Sequence, residues 1–224
     1  MNNTVQNKSE SDNEREGVIK FRLQHTDVPI RIDATRLAEF NSWRLLMYRV
    51  QLLGQNAQRY DGLAFGNVSQ RKKPGSNEFY ISGTQTSGKE LLEASDLCLV
   101  TAVDLPTNQL SAQGVVKPSS EALTHASVYQ HKKNAHAVIH GHNPEIWQQA
   151  QALKLPVTPE NIAYGTPEIA LAVTALLNEL SSDEAGVFVM LGHVDGFVVF
   201  GPDLETAALL MIQTWGKAQQ SSLR

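Results

Sequence analysis

The sequence contains a single cysteine and no long apolar run, and both scarcities narrow what the protein can be. Cys98 has no possible partner within the chain, so an internal disulfide is excluded. Its position in the apolar stretch LCLVTAV predicts a buried, reduced thiol. No apolar segment reaches the roughly 20 residues that a membrane-spanning helix needs, and the first residues lack the apolar stretch of a signal peptide. We therefore expect a cytoplasmic protein without a membrane partner.

Neither sign of charge is in large excess. The chain has 19 Lys and Arg against 23 Asp and Glu, and its largest basic cluster is the triplet Arg71, Lys72 and Lys73. Nucleic-acid surfaces carry a larger basic patch, so we expect no nucleic-acid partner. Residues 1–16 are almost free of apolar side chains and are predicted to be a disordered tail, whereas residues 17–224 are long enough to bury the core of a single domain.

Strand-like and helix-like segments alternate along the chain, which is typical of an α/β protein. The run AHAVIHGH is predicted to be a strand, and NPEIWQQAQAL after it a helix with Asn143 as N-cap and Pro144 at the first position. The runs VFVMLGH and GFVVFG predict a hairpin around Val194 and Asp195. The segment KPSSE precedes another predicted helix.

Two histidines one residue apart stand at the end of the AHAVIHGH strand. Side chains at positions i and i+2 point to the same face of a strand, so His140 and His142 can offer two imidazoles to one metal ion. The alternative is a pair of ordinary hydrogen-bonded histidines. A metal site would need a third ligand, and His193 is the best candidate because it also leaves an apolar strand for a turn.

A glutamate, two serines and two glycine-rich loops have chemical and structural interpretations that both stay open. Glu121 can act as a metal ligand or general base, or it can simply favour the start of a helix. Ser119 and Ser120 can bind an anion or cap the helix. The loops at 66–70 and 82–88 can surround a phosphate or form ordinary turns.

Taken in order, the segments GNVS, ISGTQTSG, KPSSE, HGH, AYGTPEIA and LGHVDGFVVFG resemble the class II aldolase/adducin family over roughly Leu37 to Trp215. That family has a catalytic glutamate in a Pro-Ser-Ser-Glu segment and two zinc-binding histidines about nineteen residues later. Glu121 and His140 are nineteen residues apart here. The resemblance implies a three-layer α/β/α sandwich with a largely antiparallel central sheet, and a homotetramer.

The resemblance also implies a metal site. Zinc, or another divalent metal, would be bound by His140, His142 and a third ligand, with Glu121 as the base. A gap-free alignment of Gly196 with the family places Asp195 at the third position. We favour His193, because it completes a set of three histidines and a turn two residues longer could deliver it.

The implied activity is that of a zinc-dependent aldolase, an aldehyde-lyase that cleaves or forms a carbon–carbon bond in a phosphorylated sugar through a metal-stabilised enediolate. The substrates would be a phosphorylated sugar, or dihydroxyacetone phosphate plus an aldehyde. The implied phosphate-binding residues are Asn67, Gly83, Thr84, Ser119 and Ser120.

Three other activities stay open. A sugar-phosphate 4-epimerase or a dehydratase would use the same metal site, and an adducin-like assembly module would use none of it. Tyr164 lies in the matching AYGTPEIA segment, but no residue can be assigned as the second acid.

Overall fold

A nine-stranded mixed sheet organises the protein. The structure is a computed structural model that describes residues 17–223, so the predicted tail at 1–16 lies outside the described residues. The strands are β1 (Arg22–Thr26), β2 (Gly54–Gln55), β3 (Ala64–Phe65), β4 (Asn67–Arg71), β5 (Phe79–Ser82), β6 (Leu97–Asp104), β7 (Gln109–Gln113), β8 (Ala137–His142), β9 (Val157–Thr158), β10 (Gly186–Met190) and β11 (Gly196–Gly201). Their order in the sheet is β1-β7-β6-β5-β4-β8-β11-β10-β9, and β2 pairs with β3 separately.

The sheet is antiparallel through its centre and parallel at its two edges. Six of its eight strand pairings are antiparallel, and the two parallel ones join β1 to β7 and β9 to β10. Hairpin-type connections between antiparallel neighbours are short, whereas parallel neighbours need a longer crossover. The sheet is therefore mixed: its centre is antiparallel, as expected, and a parallel strand is added at each edge.

Helices cover both faces of the sheet. They are α1 (Ala34–Arg49), α2 (Ala122–His131), α3 (Pro144–Gln148), α4 (Pro167–Glu179) and α5 (Leu204–Ser222). One hydrophobic core lies between the sheet and α2 with α4, and a second lies between the sheet and α1, α3 and α5. These layers confirm the expected three-layer α/β/α sandwich. Among residues 17–223, no helix is both long and apolar enough to cross a lipid bilayer.

The alternation of side chains along β8 determines which way its histidines point. Val138 packs in the core beneath α2 and α4, whereas Ala137 and Ile139 pack in the opposite core. His140 and His142 have the same parity as Val138, so both project toward the α2 layer. Because β8 lies between β4 and β11, both histidines are surrounded by protein and almost fully buried.

Local predictions around the site agree with the structure except at the end of α3, which stops at Gln148 although the predicted helix extends to Leu153. The Asn143 side chain accepts a hydrogen bond from the Ile146 N–H at 2.9 Å, and Pro144 begins α3, as expected. The strands β10 and β11 form the predicted antiparallel hairpin. Cys98 is fully buried, as predicted, and its thiol donates to the Val116 carbonyl at 2.6 Å.

Candidate metal centre

Three buried histidines converge beneath the α2 layer. His140 and His142 come from β8, and His193 comes from the turn between β10 and β11. Each offers one nitrogen, and these three nitrogens lie within 4.8 Å of one another. All three side chains are at most 5% exposed. The predicted ligand set is therefore brought together by the fold, and such a set could bind a metal ion.

The spacing of the β8 histidines and the tautomer of His140 suit a tetrahedral metal. The Nδ1 of His140 lies 3.0 Å from the Phe197 carbonyl, which can only accept, so Nδ1 carries the proton and Nε2 presents a lone pair. The Nε2 atoms of His140 and His142 are 3.0 Å apart. Zinc–nitrogen bonds of 2.0–2.1 Å in a tetrahedron place ligand nitrogens about 3.3 Å apart. A shift of a few tenths of an ångström would bring the two β8 nitrogens to this spacing.

The surroundings of His142 and His193 keep the imidazoles rigid and, at His142, neutral. Burial lowers the pKa of His142 well below its usual value, and the neighbouring histidines and Arg59 lower it further. Metal binding requires this neutral form. The His193 ring stacks on the Tyr164 ring, with centroids 4.4 Å apart and planes 21° apart.

The residue between the two β8 histidines has no room for a side chain. A Cβ atom on Gly141 would lie 2.9 Å from the Leu52 carbonyl oxygen and 3.0 Å from a Met211 carbon. The same carbonyl accepts a hydrogen bond from the His142 N–H at 2.8 Å. Glycine therefore allows β8 to lie against the loop after α1, and this contact holds His142 in place.

Glu121 occupies the N-cap position of α2, with its carboxylate facing the histidines. It is 2% exposed. One carboxylate oxygen, Oε2, accepts from the Thr124 hydroxyl at 2.7 Å, and the other, Oε1, lies 3.6 Å from the Nδ1 of His193. Within residues 17–223, Oε1 has no hydrogen-bond partner. One oxygen is thus anchored and the other is available for chemistry.

The five predicted phosphate-binding residues line one small cavity beside the histidines. Its volume is about 20 Å³, and its described lining is neutral: Gly17, Ala64, Gly66, Asn67, Gly83, Thr84, Gln85, Ser87, Ser119 and Ser120. Asn67 is the direct partner of His140 across β4 and β8, so cavity and histidines are adjacent. The Ser119 hydroxyl also accepts from the Glu121 N–H at 3.3 Å, so it bonds within the turn before α2. The N-cap is Glu121 and neither serine, which corrects the capping interpretation of the sequence.

Gln85 also lines the cavity, although the sequence did not indicate it as a phosphate-binding residue. Its side chain accepts from the Ala64 N–H at 3.0 Å and donates to the Ala64 carbonyl at 3.3 Å, as a neighbouring strand would. In the sequence, Gln85 lies in the glycine-rich loop SGTQTSG, and its pairing partner is 21 residues away. No local pattern indicates that contact.

A second group that the sequence did not reveal lies against His142. The Tyr60 ring contacts the His142 ring edge-on at 4.7 Å, and its hydroxyl donates to the Asp195 carboxylate at 2.7 Å. Arg59 donates to the Tyr60 hydroxyl at 2.6 Å and lies 3.8 Å from the same carboxylate. Burial and the hydrogen bond to Asp195 raise the pKa of Tyr60. Among the described residues, the histidine cluster includes His193 and not Asp195.

A further buried histidine, His125, lies on α2 one turn after Glu121. Its Nδ1 is 2.7 Å from the Ser69 hydroxyl, which also lies 2.8 Å from the Tyr129 hydroxyl. Burial lowers the pKa of His125 well below its usual value, and His140 lowers it further. His125 is therefore a neutral member of a packed polar network beneath the sheet.

Comparison with known proteins identifies the family. Residues 51–220 match the class II aldolase and adducin N-terminal domain. No curated protein sequence matches the chain. The fold is similar to that of L-fuculose-1-phosphate aldolase from Thermus thermophilus, at 22% identity, a TM-score of 0.61, and coverage of 84% of this chain and 94% of that one.

Two further solved structures have the same fold at low identity. YgbL from Klebsiella pneumoniae, named provisionally as an aldolase/epimerase/decarboxylase, is 19% identical, with a TM-score of 0.61 and coverage of 85% of this chain and 90% of that one. A sugar-phosphate aldolase from Thermotoga maritima is 18% identical, with a TM-score of 0.53 and coverage of 81% and 95%. Since the family match spans most of the sequence, the chain belongs to the class II aldolase and adducin family.

Proposed function

We propose that the protein is a zinc-dependent aldolase that cleaves or forms a carbon–carbon bond in a phosphorylated sugar. The observation that carries the proposal is the juxtaposition of three buried histidines, a carboxylate oxygen of Glu121 and a neutral cavity lined by small polar residues. A non-catalytic assembly module would have no use for this arrangement. The names of the structurally similar aldolases support the same class of substrate.

His140, His142 and His193 would hold the metal. Three imidazoles are a common ligand set for catalytic zinc, which keeps a fourth position open for substrate. A metal bound there would polarise the hydroxyketone oxygens of the substrate and so make the adjacent carbon more acidic. The Phe197 carbonyl fixes the His140 ring, and Tyr164 fixes the His193 ring, so the ligands are preorganised by their neighbours.

Glu121 would move the proton at the substrate carbon. Thr124 holds Oε2 in place, so Oε1 keeps a constant direction toward the histidines. A base must lie within hydrogen-bond reach of the proton that it removes, and the fixed position of Oε1 favours that geometry. Because Glu121 is buried, bulk water competes little for the proton.

The neutral cavity would bind the substrate phosphate. Serine and threonine hydroxyls, the Asn67 amide and backbone N–H groups can donate to phosphate oxygens without a cationic side chain. A cavity of about 20 Å³ holds roughly one water molecule, so the lining has to widen when a phosphate enters. Thr84 donates to the Gly17 carbonyl at 3.2 Å, and breaking this contact would open one wall.

The test is a screen of the zinc-loaded protein against phosphorylated ketoses, with release of dihydroxyacetone phosphate as the readout. Glu121→Gln should keep zinc but lose proton exchange at the substrate carbon. Glu168→Gln is the matched control, because Glu168 lies at the start of α4 but is exposed. It should exchange protons at the wild-type rate.

Zinc content tests the metal site directly. One zinc per chain is expected in the wild-type protein, and a His140→Ala, His142→Ala double variant should contain none. Equal zinc in both proteins would eliminate the proposed site. Isomerised product without cleavage would reassign the activity to an epimerase, and loss of water to a dehydratase.

We also retain four expectations: the single domain at residues 17–224, the homotetramer, the cytoplasmic location and the absence of nucleic-acid and membrane partners. Light scattering of the purified protein would test the tetramer.

A further inference from the structure

We propose that Arg59, Tyr60 and Asp195 form a clamp that positions His142 and His193 for metal binding. This inference rests on the proposed function, because it assigns the clamp to the same metal site. The clamp joins two segments that are distant in sequence: the loop before β3 and the turn that carries His193.

Tyr60 connects the clamp to the first of these ligands. Its ring packs edge-on against the His142 ring at 4.7 Å and against the Phe65 ring at 5.0 Å. The Phe65 ring in turn lies 5.6 Å from His142. His142 is therefore enclosed by two aromatic rings, which limit rotation of its imidazole.

Asp195 connects the clamp to the second ligand. It is two residues after His193 in the same turn, whose ends are closed by the Gly196 N–H donating to the His193 carbonyl at 2.9 Å. The Asp195 carbonyl accepts from the Asn143 N–H at 2.9 Å, and its carboxylate accepts from the Tyr60 hydroxyl at 2.7 Å. The turn is thus bound on one side to the residue after His142 and on the other to Tyr60.

Arg59 completes the clamp. Its guanidinium lies over the Tyr60 ring at 4.9 Å and over the Phe65 ring at 4.8 Å, and it also pairs with the Asp195 carboxylate at 3.8 Å. The Asp195 side chain is only 16% exposed and the Arg59 side chain 25%, so water weakens these interactions less than at an open surface.

Backbone conformation supports a positioning role. Tyr60 has φ of 51° and Asp195 has φ of 61°, values that residues with a Cβ atom seldom adopt. Such conformations persist where surrounding contacts enforce them. Here the Tyr60–Asp195 hydrogen bond and the Arg59–Asp195 ion pair join both segments.

The clamp also explains why the GHVDG turn contains an aspartate that is not part of the histidine cluster. The carboxylate of Asp195 is directed to Tyr60 and Arg59, and His193 is the turn residue that reaches the cluster. In this arrangement a single residue, Val194, separates the ligand from the residue that anchors the turn.

Zinc affinity of purified variants tests the inference. Tyr60→Phe keeps both ring contacts and removes the hydroxyl that bonds Asp195 and Arg59. We expect the zinc dissociation constant, measured by competition with a chromophoric chelator, to rise about 10-fold or more. Tyr80→Phe is the matched control: it removes one tyrosine hydroxyl bond, to the Arg31 carbonyl at 2.9 Å, on β5. Its zinc affinity should equal that of the wild type.

Variants at Asp195 supply a second, independent test of the clamp. Asp195→Asn keeps an acceptor for Tyr60 and tolerates the positive φ, so it should retain most of the affinity. Asp195→Gly tolerates the same φ without any acceptor and should weaken binding as Tyr60→Phe does. Cobalt-loaded Tyr60→Phe should also show an altered visible absorption spectrum, because the spectrum reports ligand geometry and not global stability.

The outcomes separate this inference from the proposed function. Wild-type protein that binds no zinc would overturn both. Tight zinc binding by the wild type and equally tight binding by Tyr60→Phe or Asp195→Gly would overturn the clamp alone. An equal loss of zinc affinity in Tyr80→Phe and Tyr60→Phe would also overturn the clamp, because loss of any tyrosine hydroxyl would then weaken zinc binding.

Discussion

Replacing Gly141 by alanine should strain the strand that carries two of the three histidines. The added Cβ would lie 2.9 Å from the Leu52 carbonyl oxygen, 3.0 Å from a Met211 carbon and 3.3 Å from a Phe197 ring carbon. The first of these atoms belongs to the backbone and cannot rotate away. Either β8 or the loop after α1 therefore has to move.

The expected change in the free energy of unfolding is the sum of two opposing contributions. Overpacking of a buried site costs about 1–3 kcal/mol. Alanine adds back about 0.4–1 kcal/mol of stability, because it lowers the conformational entropy of the unfolded chain. We expect the free energy of unfolding of Gly141→Ala to fall by about 1 kcal/mol, which corresponds to a melting temperature roughly 2–4 °C lower for a chain of this size.

Gly216→Ala is the matched control, because Gly216 lies in α5 and a Cβ there would contact nothing within 4 Å. That variant should be more stable than wild type by about 0.4–1 kcal/mol. Thermal and urea unfolding of both variants, with zinc per chain measured alongside, provides the assay. If Gly141→Ala matched Gly216→Ala in stability and kept full zinc content, the inferred close approach of β8 to Leu52 would be refuted.

Three further predictions concern the thiol, pH and metal removal. Burial raises the pKa of Cys98 to about 12, so a thiol reagent at pH 8 should modify no cysteine in the native protein and one after unfolding in guanidinium; rapid native labelling would contradict this burial. The pKa of His125 is lowered in the fold, so below about pH 6.5 the unfolded metal-free chain takes up a proton at His125 that the folded chain does not. The free energy of unfolding should therefore decrease as the pH is lowered, by about 1.4 kcal/mol per pH unit for this group. His125→Gln should show a shallower slope in urea titrations at pH 7 and 5.5, and an identical slope would exclude this contribution. Zinc at 100 times its dissociation constant should add about 2.7 kcal/mol of stability that EDTA removes, with no such response in the His140→Ala, His142→Ala variant.

Local sequence signals predicted the elements around the site well. Asn143 followed by Pro144 indicated the start of α3, and the apolar runs around Val194 indicated the β10–β11 hairpin, because caps and tight turns depend on neighbouring residues. The strand order could not be obtained in this way. The position of β8 between β4 and β11 depends on contacts across the whole chain.

In the candidate site, too, local signals were predictable and contacts between distant parts of the chain were not. Spacing placed His140 and His142 on one strand face, and the exit of His193 from an apolar strand into a turn indicated the third histidine. The resemblance to the family then favoured the role of Glu121 as a base. The contribution of Tyr60 could not be predicted, because it lies in a short irregular segment and its partner Asp195 is 135 residues later. Gly141 carried a usable signal: a glycine between two histidines in a buried strand indicates close approach of another part of the backbone.

On the proposed function, the pairing of Asn67 with His140 bears on which substrates the protein would accept. These residues are direct partners on adjacent strands, so the Asn67 wall of the proposed phosphate cavity is fixed relative to the histidines. Side chains at such positions begin about 5 Å apart, and the strand register sets that separation. On the proposed function, the enzyme would therefore select substrates by the number of atoms between the phosphate and the hydroxyketone, and leave the far end of the sugar unrestricted by these two strands.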